Sequence, residues 1–183
     1  MSEYDLERVT VLLAEDSQFI RSLLINSLKI LGVGKVIAVE DGGQAIEFLQ
    51  LVKEDPMKAQ CQKVDILLSN WDMSPVDGMM FLRWVRRHKL SPDRYVPFIM
   101  ITGYTEPKRI IEAREMGVTE MLAKPFTISN IAERLKSIIE RPRQFVHNAS
   151  YFGPDRRRQA VPFEGENRRF LTEKSDSVEI VRG

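Results

Sequence analysis

Two adjacent carboxylates, Glu15-Asp16, a carboxamide, Asn70, a hydroxyl, Thr102, and an ammonium, Lys124, are the side chains of this sequence that could do chemistry together. Carboxylates suit a hard divalent cation such as Mg²⁺, and a hydroxyl with an ammonium suits phosphoryl oxygens. A nucleophilic carboxylate would complete such a set by forming an acyl phosphate. Taken singly, each residue has a plain structural reading. Thr102 can simply end a strand, Lys124 can be a solvated lysine, and Glu15-Asp16 can be acids favoured at a helix N-terminus. Only a shared location gives them a joint meaning.

That location is set by the apolar runs they follow. Val9–Ala14 is β-branched and apolar, reads as a buried parallel strand, and stops at Glu15-Asp16-Ser17. Ile66–Leu68 is a second such run ending at Ser69-Asn70, and Pro97–Thr102 a third, with proline at its first position where a missing donor is tolerated. Val36–Val39 and Thr119–Ala123 complete five strands, the last followed by Lys124-Pro125. Helical spacing fills the intervals. It links Phe19, Ile20, Leu23, Leu24, Ser27, Leu28 and Leu31, then Ala45, Ile46, Leu49 and Val52, then Met80, Phe81, Trp84 and Val85. Ile110, Ile111 and Ala113 form a thin face closed by Gly117, and Ile131, Leu135, Ile138 and Ile139 form the last. Residues 54–63 read as a long loop holding the single cysteine, Cys61. Five β-α alternations predict a doubly wound parallel sheet with helices on both faces, flavodoxin-like in order 2-1-3-4-5. In such a sheet ligands bind beyond the carboxyl ends of the strands, where Glu15-Asp16, Asn70, Thr102 and Lys124 all fall.

Over roughly residues 6–140 the chain resembles the response-regulator receiver domains of the CheY-like kind. The resemblance lies in the acidic pair Glu15-Asp16 after strand one, Thr102-Gly103 after strand four, Lys124-Pro125 after strand five, and Asp77-Gly78 seven residues beyond position 70. It implies that Glu15, Asp16 and the backbone carbonyl of Asp72 hold Mg²⁺, that Thr102 and Lys124 contact the phosphoryl group, and that the Lys-Pro bond is cis. It also implies a histidine kinase, or another phosphorelay or chemotaxis protein, as partner. Three residues depart from the pattern. Glu15 replaces the commoner Asp, Met121 stands at the aromatic switch position, and Asn70 stands where the family carries its phosphate-accepting aspartate.

A neutral amide is a poor nucleophile, so phosphorylation at position 70 is expected to be lost and Mg²⁺ binding weakened. The chain reads as a pseudo-receiver working by protein–protein interaction. The alternatives are a receiver phosphorylated elsewhere, with Ser69 and Asp72 as fallback acceptors, or an engineered Asp→Asn variant of an ordinary receiver. No nucleophile–base pair accompanies the motifs, so the chain is not read as an enzyme. Trp71 is expected to pack beside the site, and His88 and His147 to lie at the surface.

Pro142 ends the last helix, and periodicity then disappears. The division is therefore a receiver over 1–140 and an extended or largely disordered arginine-rich tail over 141–183. That tail repeats a unit: Gly153-Pro154-Asp155-Arg156-Arg157, continued by Arg158, recurs as Gly165-Glu166-Asn167-Arg168-Arg169. Paired arginines bind phosphates and guanine edges. The motif resembles the arginine-rich tails of CheY-like cyclic-di-GMP effectors, implying Asp155, Arg156, Arg157, Arg158, Arg168 and Arg169 as ligand-binding residues. No helix-turn-helix pattern follows, so sequence-specific DNA binding is not expected.

Composition excludes little else. A net charge of +1 over 183 residues gives no global bias toward nucleic acid or membranes, and no apolar run approaches a membrane span. With one cysteine and no signal-peptide core at its start, the protein is expected to be cytoplasmic and free of membrane insertion.

Overall fold

The computed structural model describes residues 6–103, 106–149, 151–155 and 179–181. Strands β1 (Thr10–Ala14), β2 (Lys35–Val39), β3 (Ile66–Asn70), β4 (Phe98–Thr102) and β5 (Glu120–Ala123) alternate with helices α1 (Gln18–Ile30), α2 (Gly42–Glu54), α3 (Gly78–Arg87), α4 (Pro107–Met116) and α5 (Ile128–Glu140). The sheet is wholly parallel, in the expected order β2-β1-β3-β4-β5.

Side chains alternate across a strand, so a strand covered on both faces must be apolar at every position. Leu12, Leu67, Phe98 and Met100 point to one layer, with Leu49 of α2, Phe81 and Val85 of α3 and Ala113 of α4. Val11, Leu13, Leu68 and Ile99 point to the other, with Leu24 and Leu28 of α1 and Ile131 and Leu135 of α5. Helical spacing alone overstates burial on α1: Phe19 is 78% exposed and Leu23 is also exposed. Cys61 is buried in its loop, its thiol directed at the carbonyl of Lys63. No helix among the described residues is long and apolar enough to cross a membrane.

Local signals fix where the helices begin. Ser17 caps α1, Asp41 caps α2 by accepting from the N–H groups of Gly43 and Gln44, and Asp77 caps α3 by accepting from Met80. A Thr127–Asn130 capping box opens α5, and Gly117 closes α4 in the left-handed region at φ 97°.

After α5 the chain takes the extended form over short stretches. Strands β6 (Phe145–His147), β7 (Phe152–Pro154) and β8 (Glu179–Val181) make a small antiparallel sheet, β7-β6-β8. It packs on the receiver through aromatic rings. Tyr95, Phe145 and Phe152 meet at centroid distances of 5.2–5.6 Å, and the Arg94 guanidinium lies 3.8 Å from the Phe152 centroid. Beneath them Arg86 of α3 is fully buried. Its Nε donates to Gly117 O at 3.0 Å, its Nη1 to the carbonyls of Arg94 and Val96 at 2.8 Å each, and its Nη2 to Thr119 Oγ1 at 3.4 Å, while Phe145 covers the guanidinium. Burial lowers the Arg86 pKa to about 9, against the opposing pull of Asp93 and Tyr151, so the group is a cation at neutral pH. His147 is exposed and faces Glu179 across the β6–β8 pair, and His88 is exposed and stacks on Trp84. Of the ligand-binding positions expected in the tail, Asp155 follows β7 with its N–H on Gln144 O; Arg156, Arg157, Arg158, Arg168 and Arg169 lie outside the described residues.

Candidate functional site

The parallel register sets the ends of β1, β3, β4 and β5 side by side, and the chain turns away there before each helix. Ala14 pairs with Ser69, Asn70 with Ile101, and Thr102 with Ala123. Glu15, Asn70, Thr102 and Lys124 therefore surround one crevice.

Position 70 is held firmly. Trp71 N–H donates to Ile101 O at 2.8 Å, continuing the β3–β4 ladder, and Gly78 N–H returns to Trp71 O at 2.9 Å. A side chain at Gly78 would not fit, since a Cβ there would lie 2.3 Å from the carbonyl oxygen of Asn70 and 2.8 Å from Met100 Sδ. That close approach is why the Asp-Gly pair sits where it does: Asp77 caps α3 while Gly78 lets the helix start against the site's backbone.

Asn70 is only 6% exposed and both ends of its amide are engaged. Nδ2 donates toward Glu15 Oε1 at 3.3 Å, Asp16 Oδ1 at 3.1 Å and the carbonyl of Asp72 at 2.7 Å. Oδ1 accepts from Lys124 Nζ at 3.0 Å, and the same ammonium reaches Glu15 Oε2 at 3.3 Å. The orientation of the amide follows from charge, because reversing it would set its oxygen against two carboxylates and its NH₂ against an ammonium. Burial raises the Glu15 pKa, as does a hydrogen bond shared with Asp16; the Ser17 N–H and Lys124 act the other way and do not outweigh them. For Asp16 burial also acts upward, but hydrogen bonds from Glu15, Asn70 and the backbone N–H groups of Asp16 and Ser17 outweigh it and lower the pKa.

The structure thus gathers Glu15, Asp16, Asn70 and Lys124 into one network, with Asp72 joining through its carbonyl while its side chain is exposed. Thr102 is buried at the adjoining strand end, and its carbonyl accepts from Lys124 N–H at 2.8 Å. Met121 is half-buried on β5 and packs against the layer formed with α2, α3 and α4. Trp71 is buried next to Asn70, with the Arg109 guanidinium 5.9 Å from its ring centroid. The Lys124-Pro125 bond is cis, as expected, and Ser74-Pro75 is also cis. Sequence reasoning missed Arg21. Its Nη1 donates to the Glu15 carbonyl at 2.6 Å and its Nη2 pairs with Glu40, bracing the acidic turn from α1. Its only trace in the sequence is an arginine one helical turn beyond the N-cap.

Glu15, Asp16 and the Asp72 carbonyl are oxygen donors of the kind Mg²⁺ takes. The point they surround is filled by an NH₂ group, which has hydrogens to give and no lone pair to offer a metal. As arranged, the residues do not fit a cation there, and no group of three or more His, Cys, Asp or Glu suited to a metal occurs among the described residues.

A parallel 2-1-3-4-5 sheet with acidic, hydroxyl and lysine groups at its carboxyl ends defines the receiver class of signalling module. The match to known proteins agrees: residues 11–136 fit the model of the response regulator receiver domain, and the chain belongs to that family. The chemotaxis protein CheY of Pseudomonas aeruginosa is 28% identical over 131 residues, covering 72% of this chain and 96% of that protein. CheY-3 of Vibrio cholerae is 28% identical over 135 residues, covering 74% and 95%. Among solved structures, CheY4 of Vibrio cholerae aligns with a TM-score of 0.58 at 27% identity, over 71% of this chain and 98% of that one. The receiver domain of a Pseudomonas aeruginosa sensor histidine kinase, which has a magnesium ion coordinated in its active-site cleft, aligns at 0.60 and 25%, over 72% and 98%. Membership places the chain in two-component signalling, implies a histidine kinase partner, and makes it a receiver rather than an enzyme in the ordinary sense.

Proposed function

We propose that this chain is a cytoplasmic pseudo-receiver. It takes no phosphate at position 70, binds Mg²⁺ weakly at best, and signals through contacts with a kinase, phosphorelay or chemotaxis protein. The supporting observation is the amide at the end of β3, buried and hydrogen-bonded at both ends in the place of a nucleophilic carboxylate. In this reading residues 1–140 form the receiver, and residues 141–183 are an arginine-rich appendage whose first strands pack against it. The fallback acceptors fit poorly. Ser69 is fully buried, with its hydroxyl donating to Asn70 O, and the Asp72 side chain is exposed, leaving only its carbonyl on the network. Incubation with acetyl phosphate and Mg²⁺ followed by intact-mass measurement tests the reading. The protein is expected to stay unmodified, and a labile adduct of about +80 Da, one phosphoryl group, on the wild-type chain defeats it. The same assay on Asn70→Asp shows whether the remainder of the pocket supports ordinary receiver chemistry.

The second part of the proposal is cyclic-di-GMP binding by the arginine-rich segment. The repeated Gly-x-(Asp/Asn)-Arg-Arg unit supports it. Calorimetric titration of the dinucleotide into the wild type and an Arg156→Ala/Arg157→Ala variant decides it; absence of heat with the wild type ends the idea.

A further inference from the structure

We propose that the Asn70 carboxamide occupies the cation's own position in this receiver, so that the pocket is assembled by an internal hydrogen-bond donor and needs no metal. The proposal rests on the reading of a receiver that takes no phosphate at position 70, and deepens it by saying what the amide does instead.

The geometry is specific. The three oxygens that suit a divalent ion, one each from Glu15, Asp16 and the Asp72 backbone, all lie within 3.3 Å of a single atom, Asn70 Nδ2. That NH₂ group has two N–H donors to share among the three oxygens and carries the partial positive charge of an amide, so it meets the same oxygens a cation would meet. The opposite end of the amide does the acceptor's work, since Oδ1 receives Lys124 Nζ at 3.0 Å. Lys124 also reaches Glu15, so Glu15, Asn70 and Lys124 close a ring of contacts. One neutral side chain thereby takes over two partners of the crevice, the ion on the acidic side and the carboxylate on the lysine side.

Entry of a metal is opposed twice. The ion must displace the NH₂ group, and turning the amide to present its oxygen points the NH₂ group at the Lys124 ammonium. The strand end gives little room for a shift, because the Trp71–Ile101 and Gly78–Trp71 hydrogen bonds fix the backbone on either side and Gly78 abuts the Asn70 carbonyl. The loop that carries the Asp72 carbonyl is therefore held in one arrangement by residue 70 itself, whatever the Mg²⁺ concentration.

The test is a titration of the full-length protein with Mn²⁺, reading free metal by electron paramagnetic resonance, beside Asn70→Asp and Asn70→Ala. Wild type is expected to leave the metal free. Asn70→Asp is expected to bind one equivalent at least ~30-fold more tightly, as charge is added and the donor removed. Asn70→Ala, which removes the donor without adding charge, keeps the test valid if the aspartate variant fails to fold, and it too is expected to bind more tightly than wild type. Wild-type binding within ~3-fold of either variant overturns the proposal. So does a silent wild type beside two folded, silent variants, because residue 70 would then not be what excludes the ion. The acetyl phosphate assay on the same samples separates the two readings. Metal binding by a wild type that gains no phosphoryl group defeats only this inference, and a phosphorylated wild type defeats the reading beneath it.

Discussion

Replacing Arg86 with methionine is expected to destabilise the protein more than any other substitution outside the central hydrophobic layers. The side chain is 0% exposed and donates to three main-chain carbonyls at 2.8–3.0 Å, from the segment before β4 and the turn before β5, and reaches a hydroxyl at 3.4 Å. Methionine fills much of the volume but gives nothing back to those acceptors. A buried acceptor left without its donor costs about 1–3 kcal/mol, and three such carbonyls outweigh the desolvation relieved by removing the cation, for a net loss of roughly 3–5 kcal/mol. Against a total stability of about 5–15 kcal/mol, a loss of ~3–5 kcal/mol is large. Lysine in place of arginine keeps the charge but cannot spread donors over four acceptors, so about half the loss is expected. Urea unfolding read by the fluorescence of Trp71 and Trp84 measures both. Part of the effect must come from the ring above the cation. A double-mutant cycle of Arg86→Met with Phe145→Leu is expected to show coupling of roughly 0.5–2 kcal/mol. A methionine variant within ~1 kcal/mol of wild type would refute the assignment of Arg86 as the tie between α3, the two turns and the appended sheet.

Gly78→Ala is expected to cost about 2–3 kcal/mol, because its Cβ would press 2.3 Å from the Asn70 carbonyl oxygen, and to shift the emission of neighbouring Trp71. A thermal melt with steady-state fluorescence checks both effects. Glu15 carries a pKa raised first by burial, so the folded state holds its proton more tightly than the unfolded chain does. The stability linked to that proton is present below the ordinary carboxylate value and is lost as pH rises through the raised folded value. Glu15→Gln is expected to flatten the fall in urea midpoint above the ordinary carboxylate range, and an unchanged slope would contradict the assignment. Asp16 acts in the opposite sense. Its lowered pKa stabilises the folded protein above the ordinary value, and Asp16→Asn is expected to soften acid unfolding as pH falls through the lowered value.

The fold could be read from the sequence because each of its determinants is local. Apolar runs mark strands covered on both faces, Ser17, Asp41, Asp77 and Thr127 mark helix starts, and Gly117 marks a stop. The convergence of Glu15, Asn70, Thr102 and Lys124 could be read because a parallel sheet collects its strand ends, so position within a run is enough to place them together. What the sequence withheld was direction. It shows an amide at position 70 but not which end faces the acids, and that choice depends on where Lys124 lies across the sheet. Arg86 was hidden for a similar reason. Between Val85 and Arg87 near the end of α3 it reads as one more cation favoured by the helix dipole, and Arg87 beside it is exposed. Its lid is built from Phe145, more than fifty residues away, in a stretch with no periodicity to announce a strand.

The pairing of both β7 and β8 with β6 makes Phe145–His147 the central strand of the small sheet, with Pro154 opposite Phe145 on one side and Glu179 opposite His147 on the other. β7 and β8 lie two strand spacings apart, about 10 Å. Ending the chain before Glu179 would remove β8 and leave one side of β6 with unpaired N–H and C=O groups, the kind of edge that another chain can pair with.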